Sequence, residues 1–151
     1  MTTWFTQAWN CIRPKTYESL EDAVENAQYC KRLWLLYPSN DLKPYGKEFL
    51  KLKKLKSLAI QCSIELDEST FSLPEEIGQL TQLEKLSLLN VPLSRLPDWI
   101  GNLINLEYLM VRGNDVTQIP PFIEKLTNLK TLRVENGELN SLPSELSKLE
   151  G

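Results

Sequence analysis

Four prolines, Pro74, Pro97, Pro120 and Pro143, stand 23 residues apart, each directly after an aliphatic residue: Leu73, Leu96, Ile119 and Leu142. Three residues past each comes Ile77, Ile100, Ile123 or Leu146, and three further on Leu80, Leu103, Leu126 or Leu149. This period constrains the fold more than composition does. A unit so short cannot bury its own apolar face and must stack on copies of itself.

Between the prolines the unit begins Leu83-x-x-Leu86-x-Leu88, then Leu106-x-x-Leu109-x-Val111, then Leu129-x-x-Leu132-x-Val134, each followed five residues later by Leu93, Val116 or Leu139. The alternation at 86/88, 109/111 and 132/134 puts aliphatic residues on one face of a short strand. The proline turns the chain, because it fixes φ and donates no hydrogen bond. Apolar residues three apart in Glu75 to Leu80 and Asp98 to Leu103 suit a helical or 3₁₀ turn returning over the outside.

The frame resembles the leucine-rich repeat family, tightly over about half of the chain and loosely over most of the rest. The resemblance implies an α/β fold: a right-handed leucine-rich repeat solenoid of about five coils. Its parallel sheet would line the concave face and its short helical turns the convex face. Cys30-x-x-Leu33-x-Leu35 fits the first strand of the array and Leu55-x-x-Leu58-x-Ile60 the second. Their wider spacing predicts insertions in Pro38 to Tyr45 and in Ile64 to Ser72, the latter carrying Glu65, Asp67 and Glu68. Strands are expected near Arg32 to Leu35, Ser57 to Ile60, Lys85 to Leu88, Tyr108 to Val111 and Thr131 to Val134. The family's ninth-position asparagine is present only as Asn114, with Pro38, Ser63, Val91 and Gly137 in its place elsewhere, so a continuous asparagine ladder at that position is missing.

Residues 1–29 read as an N-terminal helical cap and 30–151 as the array. Trp4, Phe5, Ala8, Trp9 and Ile12 recur near a helical period, and Pro14 ends the segment. A membrane-surface helix would look similar but brings a basic polar face that is lacking here. A second helix is expected over Leu20 to Tyr29, with Ser19 as N-cap and Leu20, Ala23, Val24 and Ala27 on its buried side. At the other end the last repeat closes at Leu149, which implies either a longer natural chain or an open final coil. Lys130, Arg133 and Glu135 on the last strand discourage edge pairing, so a monomer is expected.

The chain contains no histidine, which removes His-based acid–base catalysis and Ser-His or Cys-His nucleophile pairs. Cys11, Cys30 and Cys62 are too scattered for a metal site and odd in number, so reduced thiols in the cytoplasm are expected. Met1 to Lys15 lacks a basic start and a long apolar run, and Cys11 lacks the small-residue approach of a lipoprotein signal; a removed leader is left open. A net charge of −3 gives no overall attraction to nucleic acid or to an anionic membrane. Lys51 to Lys56 is broken by leucines at core spacing and reads as a solvated face. Neither catalysis nor a cofactor is expected.

Function is then expected on the outward strand positions, which form three columns across the coils. They run Arg32, Ser57, Lys85, Tyr108, Thr131; then Trp34, Ala59, Ser87, Met110, Arg133; then Leu36, Gln61, Leu89, Arg112, Glu135. Aromatic, Met and Arg side chains are enriched at interfaces. Trp34, Leu36, Lys85, Leu89, Tyr108, Met110, Arg112 and Arg133 are therefore the candidate contacts for a protein or peptide partner. Arg112 and Glu135 are equally placed to pair with each other, and Trp34 to be partly covered by the cap. The alternative is an assembly segment of a larger protein, using Trp99 and Phe122 on the convex side or the open C-terminal end.

Overall fold

The computed structural model describes residues 15–36, 42–62, 71–113, 115–135, 139 and 144. Among the described residues there are six strands, β1 (Thr16–Tyr17), β2 (Arg32–Leu36), β3 (Ser57–Gln61), β4 (Lys85–Leu89), β5 (Tyr108–Arg112) and β6 (Thr131–Glu135), the last five built on alternating side chains. They form one parallel sheet in sequence order, with Leu33, Leu58, Leu86, Leu109 and Leu132 in register. The second and fourth residues of β2 to β5 point inward and are buried, so the alternation read in the sequence is the alternation across the sheet. In β6 the corresponding Leu132 and Val134 are half-buried.

Five of the strands fall where the repeat frame puts them, each one residue longer at its C-terminal end. The sixth, β1, was not expected, because two residues offer no repeat frame. It forms because Tyr17 is drawn into the core, with 4% exposure, and Thr16 and Tyr17 pair with Arg32 and Leu33. Lys15 caps this start from outside, its ammonium 4.4 Å from the Tyr17 ring centre.

The return path on the convex side is 3₁₀ over Glu75–Gln79, Asp98–Asn102 and Pro121–Lys125. In each of these coils the N–H groups of apolar residues three apart donate to the carbonyl three before. Ile77 donates to Pro74, Leu80 to Ile77 and Leu83 to Leu80, at 3.2, 3.0 and 2.8 Å. A helix of three residues per turn stacks side chains i and i+3, so one run of hydrogen bonds turns Ile77, Leu80 and Leu83 onto the core, where all are buried.

The earlier coils differ. Helix α1 (Leu20–Glu25) starts where expected, with the Ser19 hydroxyl accepting from the Asp22 N–H at 3.1 Å. It stops at Glu25 rather than Tyr29. The Asn26 amide folds back to donate to the Asp22 carbonyl and carboxylate, both at 2.9 Å, and the chain tightens into turns through Tyr29; such local bonding competes with helix continuation. Part of the expected insertion after β2 is 3₁₀, Lys43–Tyr45, running into a helix α2 (Gly46–Phe49) whose Phe49 is fully buried.

The amphipathic segment of the first dozen residues, Cys11, Pro38, the acidic residues Glu65, Asp67 and Glu68, Asn114, Gly137 and the final coil around Leu149 lie outside the described residues. Among the described residues, no helix is long and apolar enough to cross a membrane.

Candidate interaction surface

The registered strands bring the three outward columns together as the sequence ordered them: Arg32 beside Ser57, Lys85, Tyr108 and Thr131, and so on across the face. Trp34 and Leu36 are 40% and 41% exposed, so each is part covered and part open to solvent. Lys85, Arg112 and Arg133 are exposed, whereas Leu89, Tyr108 and Met110 are half-buried. The Tyr108 hydroxyl lies 3.4 Å from the Met110 sulfur on the same strand, so these two side chains lean on each other.

The arginines are partly spoken for. Glu135 takes Arg112 at 3.6 Å and Arg133 at 3.7 Å, so one carboxylate bridges two cations from neighbouring strands. Beside this face, at the start of the strands, Lys56 meets Glu84 at 2.8 Å and Lys130 meets Glu107 at 3.2 Å. All these pairs are open to water, where an ion pair contributes little to stability; their effect is to order charge along the sheet.

Two structural devices escaped the sequence reading. Gln82, Asn105 and Asn128 donate side-chain N–H to the carbonyls of Leu52, Thr81 and Ile104 in the preceding coil, at 3.2, 2.9 and 2.9 Å. The signal was available, since an amide residue precedes the first leucine of three successive units. At the opposite corner, Asn90 and Gly113 adopt the left-handed region, with φ of 52° and 67°. Their N–H groups donate to Arg112 and Glu135 in the next strand at 2.7 and 3.1 Å, while Val91, at the asparagine position, is fully buried. That corner is therefore held by backbone bonds and by residues that tolerate a positive φ.

The convex aromatics are packing residues more than a surface. Trp99 is only 8% exposed. A Cβ on Gly78 would stand 2.7 Å from the Cβ of Trp99, and one on Gly101 would stand 3.0 Å from the Cβ of Phe122, so these two glycines make room for the aromatic of the next coil. Phe122 is half-buried. A depression on the flank is lined by Phe71, Leu93, Arg95, Trp99 and Lys125, but Arg95 is already paired with Asp98 at 2.8 Å.

Cys30 and Cys62 are free and fully buried, and burial pushes both thiols up to about 11, leaving them protonated and unreactive at neutral pH. No group of three His, Cys, Asp or Glu side chains gathers as a metal site among the described residues.

A stacked parallel sheet with one short 3₁₀ return per 23-residue unit defines a leucine-rich repeat solenoid. The leucine-rich repeat region family matches residues 70–151, and the chain belongs to that family. Among solved structures it is similar to a leucine-rich repeat protein of Leptospira interrogans, at 32% identity over 90% of this chain and a TM-score of 0.76. A plant ice-binding protein shares 28% identity over 69% of the chain, with a TM-score of 0.54. An internalin of Listeria monocytogenes, 17% identical over 78% of the chain with a TM-score of 0.52, shares the fold. The chain spans 33%, 34% and 37% of those three proteins. No curated protein matches it. The family's solenoid is in general a non-enzymatic scaffold for protein interaction.

Proposed function

We propose that the chain is a non-catalytic interaction module that binds a protein or peptide on the concave face of its sheet, through Trp34, Leu36, Lys85, Leu89, Tyr108, Met110, Arg112 and Arg133. One observation carries this reading: Trp34 and Leu36 are 40% and 41% exposed on a strand paired along its whole length with β3 and at its start, through Arg32 and Leu33, with β1, and Arg32 is on the same face. An aromatic and an aliphatic side chain left in water on a rigid platform can bury area on a partner with little ordering cost. The segment 1–29 acts as the cover of the first coil, which the pairing of β1 with β2 and the burial of Leu20 and Ala23 support. The module works as a monomer, and the buried free thiols suit a reducing, cytoplasmic setting.

The test starts from a partner isolated from the source organism. Trp34→Ala, Tyr108→Ala and Met110→Ala should each weaken its binding by more than ~1 kcal/mol, whereas Gln79→Ala and Lys125→Ala, exposed on the convex side, should leave it unchanged. The reverse pattern would move the working surface to the convex side. Trp99→Ala is unsuitable as a control, because it empties a packed position.

A further inference from the structure

The second outward column reads large, small, small, large: Trp34, Ala59, Ser87, Met110, in register on β2 to β5. Three strand spacings of ~4.8 Å put its two large side chains about 14 Å apart, with only a methyl and a hydroxymethyl group on the sheet between them. Leu36 and Leu89 flank this trough in the third column, and Arg32 and Lys85 flank it in the first.

Charge on the outward strand positions is one-sided. The outward positions of β2 to β6 carry Arg32, Lys85, Arg112 and Arg133 against Glu135 alone, a balance of +3 on a chain whose total is −3. The one carboxylate is engaged by the two arginines at the far end, and Arg32 and Lys85 have no partner among the described residues. Lys31, Lys53 and Lys54, at and before the starts of β2 and β3, are exposed and likewise without a partner there. Arg32 thus stands beside the exposed Trp34 and Leu36 on the face, with Lys85 two strands on and three lysines in the segments that lead into β2 and β3.

Resting on the concave-face reading above, we infer that the partner is an acidic peptide segment, whose apolar side chain fills the trough over Ala59 and Ser87 and whose carboxylates meet Arg32, Lys85 and the lysines beside them. Opposite charges steer the encounter and suppress wrong partners, and the apolar side chain supplies the buried anchor. A nucleic acid fits the trough less well. Unpaired bases need a series of flat rings to stack on, and here the two rings of the face, Trp34 on β2 and Tyr108 on β5, stand three strands apart with no ring between them.

Panning a display library of short random peptides against the intact chain tests this. The expected winners carry Asp or Glu on either side of a Leu, Ile, Phe or Met. Their synthetic consensus, followed by fluorescence polarisation, should lose about tenfold or more in affinity to the Arg32→Glu/Lys85→Glu double variant and to Ser87→Trp, which fills the trough from the solvent side. Raised salt should weaken binding as well. Unchanged circular dichroism and melting of both variants would show that the sheet is intact.

Neutral or basic winners that Ser87→Trp still blocks would overturn the acidic partner and leave the concave face standing. Winners indifferent to both variants would overturn the face itself. Tighter binding of a single-stranded oligonucleotide than of any peptide would replace this proposal, and panning that enriches nothing would sink it.

Discussion

The coils from Phe71 to Glu135 and those from Lys15 to Cys62 share one sheet but close it differently. In the later part every described return is a five-residue 3₁₀ segment after a proline, and in two of the three an aromatic, Trp99 or Phe122, seats on the glycine of the coil before. In the earlier part the returns include two helices, α1 and α2, and Gly46 meets only the carboxylate end of Glu76. The strands nevertheless stay in register, Arg32 opposite Ser57 opposite Lys85, although the sequence between them varies in length. A ladder of parallel backbone bonds tolerates no slip, because one residue would turn every leucine outward. The convex path has no such constraint and absorbs the added residues.

The largest effects should test whether the two parts are one cooperative unit. Leu58→Ala in β3 and Leu109→Ala in β5 remove side chains with 1% and 0% exposure, and each should cost ~2 to 5 kcal/mol by chemical denaturation, with a single shared transition. A separate early transition for Leu58→Ala would split the molecule at the irregular coils.

A smaller effect separates the two ways of closing a coil. Gly78→Ala drives a methyl group against the Trp99 Cβ and carbonyl and should cost ~1 to 3 kcal/mol. Gly46→Ala meets the end of a flexible glutamate and should be milder by differential thermal melting. Equal losses would mean that the glycine-on-aromatic seating does not distinguish the regular coils.

The smallest effect concerns the amide ladder, which crosses both parts. Asn105→Ala deletes the bond to Thr81 inside the regular array, and Gln82→Ala deletes the bond to Leu52 where the array meets the irregular coils. Each should cost ~0.5 to 1.5 kcal/mol. Hydrogen exchange of the Leu83 and Leu106 amides would show whether the loosening stays local.

The sequence alone determined the coil. Proline spacing and the L-x-x-L-x-L frame identified five of the six strands, their inward leucines and the order of the outward columns, because a period-two strand repeated in register leaves no freedom in which face a residue takes. The Ser19 cap was legible for the same kind of reason, a local hydrogen bond set by residue type.

Tertiary structure decided what depends on neighbours from distant coils. Tyr17 became part of a strand only because β2 offered a free edge, and Trp99 became core because Gly78 left room beneath it. Glu135 became a shared counter-ion because Arg112 met it from the adjacent strand while Arg133 reached it along its own. The open trough above Ala59 and Ser87 belongs to the same class. Two small residues 28 positions apart in the chain become neighbours only after the sheet aligns them between Trp34 and Met110, and burial and charge balance are properties of that alignment.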